Sequence, residues 1–368
     1  MEMQNRAFAQ STVLTRRSLL TAAGLAVLGG AAGLSLVGCS PASGGGTSKG
    51  RVVYAGFGGT FDDLVKKNFF DPFTEETGFP VVMTGDSPPP VGPIQAGVEA
   101  ESPDWNILIL NSSGLALCLA NDLLQDLDYS KIPGAADYAD PSYKHPKGAG
   151  MWAFGDVLWS NTAVFGDPLE KWEDLWDVKA FPGKRGFLNQ AHKTFEATAL
   201  GMGIEPADLY PMDMDLIFER LDEIRPHAVF LDINTINNQL SQQDIVAGPL
   251  NIIRVRQAVL DGIPVGYTWN EHLVDVNYYG IPRHAKDLDA ASALIDYMTS
   301  PEVQARVAEA LSYTPATKAA QAAIDEETAA NLPASEVTDS QALHISADWW
   351  AENGVEAEKR FSDWLQKG

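Results

Sequence analysis

Short apolar runs alternate with longer amphipathic stretches along most of this chain. Arg51-Val52-Val53-Tyr54-Ala55 reads as a strand that runs into Gly56-Phe57-Gly58-Gly59-Thr60. The spacing of Phe61, Leu64, Val65, Phe69 and Phe73 then predicts a helix with one apolar face. Thr60 with Asp63 fits an N-cap and its acidic third position, Pro72 should kink the helix, and Gly78 should cap it. Val81-Val82-Met83 is the next strand. Trp105 to Leu110 is apolar almost throughout, as a strand buried on both faces must be, and ends at Asn111-Ser112-Ser113-Gly114 before another apolar helix. Strand, Gly/Ser turn and helix recur in that order, which is the pattern of an α/β fold.

From Trp152 to Asn161 the chain is aromatic and shows no helical period. A second α/β series follows: a strand at Gly186-Phe187-Leu188, a helix from Ala191 to Gly203, and an amphipathic helix from Leu216 to Ile224 ended by Pro226. Further strands are expected at Ala228–Leu231, Asp244–Gly248 and Val265–Trp269. Leu288, Ala291, Leu294, Ile295 and Met298 mark a late helix, and Ser300-Pro301-Glu302 opens the next. Ala342 to Leu365 is amphipathic and rich in Trp.

The N-terminus reads differently. Thr15-Arg16-Arg17-Ser18-Leu19-Leu20 opens a small, apolar stretch to Gly38 that is long enough to span a membrane. Its preceding basic pair, its Gly and Ala content and its small-residue end read instead as an export signal over residues 1–38, resembling the twin-arginine type. Leu36-Val37-Gly38-Cys39 is similar to a lipobox, so Cys39 is the expected lipidation site. Residues 39–50, rich in Ser and Gly, form a flexible linker. The expected location is outside the cytoplasmic membrane, lipid-anchored in the periplasm or at the cell surface.

With 368 residues there is room for two domains. A net charge of −23 disfavours nucleic acid as a partner. Cys39 and Cys118 cannot make a disulfide framework or a Cys-rich zinc site, and Cys118, inside an apolar run, should be a buried thiol. No two of the six histidines have metal-ligand spacing, and no His-Glu-x-x-His, Gly-x-Ser-x-Gly, Walker A or Gly-x-Gly-x-x-Gly occurs. Glu271-His272 could form an acid/base pair, but adjacent residues more often point to different sides. The expectation is therefore no catalytic residues, no metal, no cofactor and no enzyme.

Several strings, in their order, carry a resemblance. They are Phe57-Gly58-Gly59-Thr60, Asp71-Pro72-Phe73-Thr74-Glu75-Glu76-Thr77-Gly78, Leu123-Leu124-Gln125-Asp126-Leu127, Trp172-Glu173-Asp174-Leu175-Trp176, Pro182-Gly183-Lys184-Arg185-Gly186, Leu209-Tyr210-Pro211-Met212-Asp213 and Ile281-Pro282-Arg283-His284-Ala285-Lys286. Together the chain resembles the spermidine/putrescine branch of the substrate-binding lipoproteins of bacterial ABC importers. The resemblance implies an α/β, two-lobe periplasmic-binding-protein-like fold (type II) with the ligand in the cleft between lobes. Lobe 1 would hold residues 51–152 and 276–318, lobe 2 residues 157–268, and residues 319–368 a C-terminal helical segment. The strands joining the lobes would lie at Trp152–Asn161 and Asn270–Asn277. The implied partners are a small polar, amine-containing solute and an ABC permease, with the protein a monomer. A lipid-anchored enzyme or a ligand-presenting sensor partner on the same scaffold is the alternative.

The resemblance also implies a site. Phe57 would stack on the ligand, with Gly59 and Thr60 in the same turn. Ser112 and Ser113 match a turn where the family uses hydroxyls, Tyr313 matches a cleft tyrosine, and Trp269, Asp275 and Asn277 fall in the returning segment. Where the polyamine branch presents acids on lobe 2, this chain has Asn189-Gln190-Ala191-His192-Lys193. Asp275 and Asn277 would then hold one polar end of the ligand, and Asn189, Gln190 and His192 the other. His192 and Lys193 suit an anionic or zwitterionic group, so a ligand with one amine and one neutral or anionic end fits better than a polyamine.

Overall fold

The computed structural model describes residues 50–85, 89–335 and 338–367. The export signal, Cys39 and all of the linker but Gly50 lie outside the described residues. Eight strands form the main path of the sheet: β1 Val52–Ala55, β2 Val81–Thr84, β3 Ile107–Leu110, β4 Gly148–Asn161, β5 Arg185–Leu188, β6 Ala228–Leu231, β7 Ala247–Asn251 and β8 Val265–Gly280. They are hydrogen-bonded in the order β2-β1-β3-β8-β4-β7-β5-β6. β1 pairs in parallel with β2 and β3, and β5 in parallel with β6 and β7, so each end is a small parallel sheet built from strand–helix units.

The sequence predicts two separate strand–helix series. In the structure two long strands belong to both. β8 pairs with β3 through Leu108–Gly280 and Leu110–Tyr278 at one end, while β4 pairs with β7 through Asp156–Asn251 to Ser160–Ala247 at the other. β4 and β8 pair with each other between, with an irregularity that sets Asp156–Leu273 next to Leu158–Thr268. Glu271 sits in that bulge at φ 52°. Bulges of this kind bend a strand and raise its twist, here where the pair passes from one strand set to the other. His272 is buried, its ring nitrogens 2.7 and 2.5 Å from the carbonyls of Trp269 and Pro333, so it does not form an acid/base pair with Glu271.

Helices cover both faces. Those used below are α1 Gly59–Val65, α2 Asp71–Thr77, α3 Val91–Glu99, α4 Ser112–Ala120, α5 Ala191–Leu200, α6 Met214–Ile224, α7 Ile233–Gln242, α8 Ile252–Leu260, α9 Leu288–Thr299, α10 Pro301–Leu311 and α11 Ala347–Gln366. Within β3, Ile107 and Ile109 join the core beneath α1, α2, α9 and α10, while Leu108 and Leu110 join the core beneath α3 and α4. That division explains why the run is apolar at every position. A third core of Trp172, Phe187, Phe195, Trp349, Trp350 and Phe361 packs α5, α6 and α11 together. Cys118 is buried, as its apolar setting predicts, and burial pushes its thiol up to about 12.

Two local details differ from the sequence reading. The first helix starts two residues earlier, with Gly58 rather than Thr60 at its N-cap and no side-chain cap. Asp62 instead folds back to accept from the Phe57 amide at 3.0 Å. The expected strand at Asp244–Gly248 lies at Ala247–Asn251, because α7 ends on a left-handed Gln243 and leaves Asp244 exposed. Pro72 does sit at a break: the turn before it, Lys66–Phe70, is π-helical, and Gly78 closes α2 at φ 73°.

Gly248 is where the sheet is tightest. A Cβ there would lie 2.1 Å from the Gly186 carbonyl oxygen. Gly248→Ala should cost about 1–3 kcal/mol of stability or more, since backbone cannot give way as a side-chain tip can. Gly92→Ala, whose Cβ meets nothing within 4 Å, is the control and should cost nothing. Urea denaturation of the two variants checks this.

Candidate functional site

The loop after β1, the N-terminus of α5, the N-terminus of α8 and the crossing strands supply two neighbouring groups of side chains. The first is aromatic. Phe57 packs edge-on to Phe61 at 5.2 Å between ring centres, and Phe61 lies 6.3 Å from Tyr313. Tyr313 in turn lies 6.2 Å from Trp152 and 5.9 Å from Phe154. The buried Tyr313 hydroxyl donates to Asn251 Oδ1 at 2.8 Å. Asn251 also caps α8, accepting from the Ile253 amide at 3.2 Å.

Arg254 follows in the first turn of α8. It is only 4% exposed, yet makes no ion pair or hydrogen bond with any described residue. Its Nη1 lies 3.9 Å from where a Cβ on Gly59 would sit, and Asn234 Oδ1, at the start of α7, lies 3.2 Å from the same point. Gly59 has φ 60°, so the tight approach of this loop to α7 and α8 uses the freedom of glycine twice, in conformation and in bulk. Burial lowers the Arg254 pKa below its usual value, but the hydroxyl of Tyr313 and the carboxylates of Asp62, Asp156 and Asp232 work against that and favour the cation. Asp62 is half-buried, and the same loss of water raises its carboxyl pKa.

The second group centres on Asp275, which is 3% exposed on β8. Its Oδ1 accepts from the Ser112 amide at 3.2 Å, from the Ser112 hydroxyl, and from the Val276 amide at 2.7 Å. Its Oδ2 lies 3.2 Å from His192 Nε2, close enough for an ion pair, but neither atom has a hydrogen bond of good geometry to a described residue. Burial pushes the Asp275 carboxyl up, but the approach of His192, the Ser112 hydroxyl and the charge of Lys193 outweigh it and hold the pKa below the ordinary range. His192 Nδ1 meets Asn111 Nδ2 at 3.1 Å, and its ring lies edge-on to Trp350 at 5.1 Å. Asp275 therefore ties the start of α4 to the start of α5.

His192 and Lys193 interrupt α5 with non-helical backbone, Lys193 at φ 70°. Two acids hold this turn. Glu358 of α11 accepts from the Ala191 and His192 amides at 3.0 and 3.2 Å, and Glu196 Oε2 accepts from the Lys193 amide at 2.7 Å. The Lys193 ammonium pairs with Asp156 of β4 and lies 4.5 Å from the centre of the Phe154 ring. Both basic residues expected to face an anion are thus engaged by carboxylates of the chain itself.

Of the residues singled out from sequence, Gly59 lies close to Arg254, Phe57 and Tyr313 belong to the aromatic group, and Ser112, His192 and Asp275 form the second group. Ser113 is buried beside them, its hydroxyl 3.1 Å from Asn111 Oδ1. Asn277 accepts from the Trp152 indole at 2.8 Å. Trp269 is half-buried against His272, and Thr60 lies in the first turn of α1. Asn189 is exposed and Gln190 half-buried, and neither side chain has a hydrogen-bond partner among the described residues. Sequence reasoning missed Arg254, Asp156 and Phe154. The legible signal for Arg254 was a charge set among Ile252, Ile253 and Val255 in the first turn of a helix, where an apolar residue belongs.

Residues 68–334 match the model of the bacterial extracellular solute-binding proteins. The chain belongs to this family. It is 24% identical to the gamma-aminobutyric acid-binding protein of Pseudomonas aeruginosa over 340 residues, covering 91% of this chain and 96% of that one. It is 22% identical to the spermidine/putrescine-binding periplasmic protein 1 of Haemophilus influenzae, over 78% of this chain and 80% of that one. A solved ABC-transporter substrate-binding protein from Bradyrhizobium japonicum superposes with a TM-score of 0.77 at 27% identity, over 86% of this chain and 99% of that one. The two-lobe fold and the role of substrate-binding protein of an ABC importer, both expected from sequence, follow from these likenesses. No helix among the described residues is long and apolar enough to cross a membrane.

The lowered pKa of Asp275 fixes a pH dependence. Its carboxylate is more stable folded than unfolded, so its contribution is complete above about pH 4 and is lost as pH falls below that value. Asp275→Asn should lose about 2–4 kcal/mol at pH 7 and much less at pH 3. Urea denaturation of both proteins at the two pH values checks this; an equal loss at both would contradict it.

Proposed function

We propose that this protein captures a small solute carrying one ammonium and one carboxylate group and delivers it to an ABC permease. The observation that carries the reading is Arg254, a buried guanidinium with no ion pair or hydrogen bond to any described residue. A cation kept from water without a counter-charge is costly, and a ligand carboxylate supplies the missing partner by a two-pronged hydrogen bond. Asp275 Oδ2 offers the opposite charge to an ammonium, with Ser112 holding the other oxygen in place. Phe57 and Tyr313 form apolar walls for the short chain between the two ends. Asn277 and His192 support the ammonium end by position. A gamma-aminobutyrate-binding relative covering nearly the whole length supports the same class of solute.

The lobes are taken as residues 51–152 with 276–318 and residues 157–268, closing on the solute about the crossing strands, with residues 319–368 as the C-terminal helical segment. Their closure removes the solute from water. The protein acts as a monomer held outside the cytoplasmic membrane, exported by residues 1–38 and lipidated at Cys39. The lipobox-like string before Cys39 supports that anchoring. Cys39→Ser should move the protein from the membrane fraction to the soluble envelope fraction; retention in the membrane fraction would contradict it.

The solute is tested by thermal shift and calorimetry with 4-aminobutanoate, other amino acids and polyamines. An amino acid of this class at 100 times its Kd should add about 2.7 kcal/mol of stability. Arg254→Met should weaken it by roughly thirtyfold or more, the scale of removing one partner of a desolvated pair. Unchanged affinity in that variant, or binding of polyamines alone, would contradict the reading.

A further inference from the structure

We propose that Lys193 determines specificity by occupying, with the chain's own ammonium, the position that a second amine of a dicationic solute would take. The inference rests on the amino-carboxylate reading above and names what that site rejects.

Three observations carry it. First, the Lys193 ammonium is bracketed by a carboxylate and an aromatic ring, Asp156 on one side and Phe154 at 4.5 Å on the other. Those are the two kinds of group that hold an alkylammonium in a protein cleft, by charge and by the negative face of the ring. Second, this pair belongs to the site. Phe154 touches Tyr313, and Asp156 acts electrostatically on both Tyr313 and Arg254. Third, the lysine is placed there at a cost. Its φ of 70° is unfavourable for a side chain of this kind, and the Glu196 carboxylate is spent on its amide. A lysine needed only as a surface charge would be placed without strain, and this one is 6% exposed.

The electrostatic consequence is a count of carboxylates. With Lys193 present, Asp156 carries a lysine ammonium of the chain itself, while Asp275 Oδ2 has only the His192 ring at 3.2 Å and no hydrogen bond to a described residue. A second ligand amine would then meet the Lys193 ammonium at the place where Asp156 could otherwise pair with it. Without the lysine charge, Asp156 becomes a buried carboxylate beside Phe154, ready for an amine.

The test compares 1,4-diaminobutane with 4-aminobutanoate by calorimetry in four proteins: wild type, Lys193→Met, Asp156→Asn and Lys193→Met with Asp156→Asn. Met keeps the length and apolar body of the lysine stem. The ratio of diamine to amino-acid affinity should rise about tenfold or more in Lys193→Met. The double variant should lose that gain, and Asp156→Asn alone should not show it. Near-ultraviolet circular dichroism establishes that each variant is folded, and Lys193→Gln replaces Lys193→Met if the latter is not. A folded Lys193 variant whose ratio is unchanged overturns the proposal, as does a gain that survives in the double variant. Failure of the amino-carboxylate reading is seen separately, as wild type that binds no amino acid. In that case a diamine bound as tightly by wild type as by Lys193→Met also overturns this proposal, whereas a diamine bound only by Lys193→Met supports it.

Discussion

β4 and β8 hydrogen-bond to each other from Ala149–Tyr279 at one end to Asn161–Val265 at the other, and every remaining strand is placed by reference to that pair. β3 adds to the free edge of β8 at one end, and β7 to the free edge of β4 at the other. A helix-bearing parallel sheet grows outward from each. The groups proposed to bind the solute sit where those additions stop: Asp156 and Phe154 on β4, Asp275 on β8, and the first turns of α4, α5 and α8. Such helix starts beyond strand ends are the usual ligand position in open α/β sheets.

Charge is the second organising quantity. The site region holds Asp62, Asp156, Asp275, Glu196, His192, Lys193 and Arg254 in little water. Buried charges persist only when paired or richly hydrogen-bonded. Asp156 has Lys193, Asp275 has Ser112 and His192, and Glu196 has Tyr210, Trp350 and the Lys193 amide. Arg254 breaks the pattern. That one imbalance, rather than any residue string, is the ground for the carboxylate proposed at one end of the solute.

Most elements were legible because their causes are local. The period of Phe61, Val65, Phe69 and Phe73, the two-faced burial of Ile107 to Leu110, and the Pro and Gly stops at Pro72 and Gly78 each act within a few residues. The site was legible only in part. Phe57, Ser112, Asp275 and Tyr313 were singled out through a resemblance. The partners of His192 and Lys193 were not, because Asp275 and Asp156 come from crossing strands far along the chain. Nothing in Asn189-Gln190-Ala191-His192-Lys193 says that its two basic residues are already neutralised. The Thr60 cap was misplaced for a related reason: Gly58 at φ 73° sets the start of the helix, and Asp62 takes the role of securing the loop.

The last helix has a consequence for motion. α11 packs its Trp350 and Phe361 side against α5 and α6, and Glu358 holds the first amides of α5. On its other side it meets α4, with Leu117 at ordinary contact distance, 3.8 Å from where a Cβ on Gly354 would sit. Any rotation of the β5–β6–β7 set against the β1–β2–β3 set must therefore carry α11 along with α5 and slide it over α4. The terminal helix thus bridges the start of α5 and the side of α4, so it is shared between the two strand sets rather than hung from one of them.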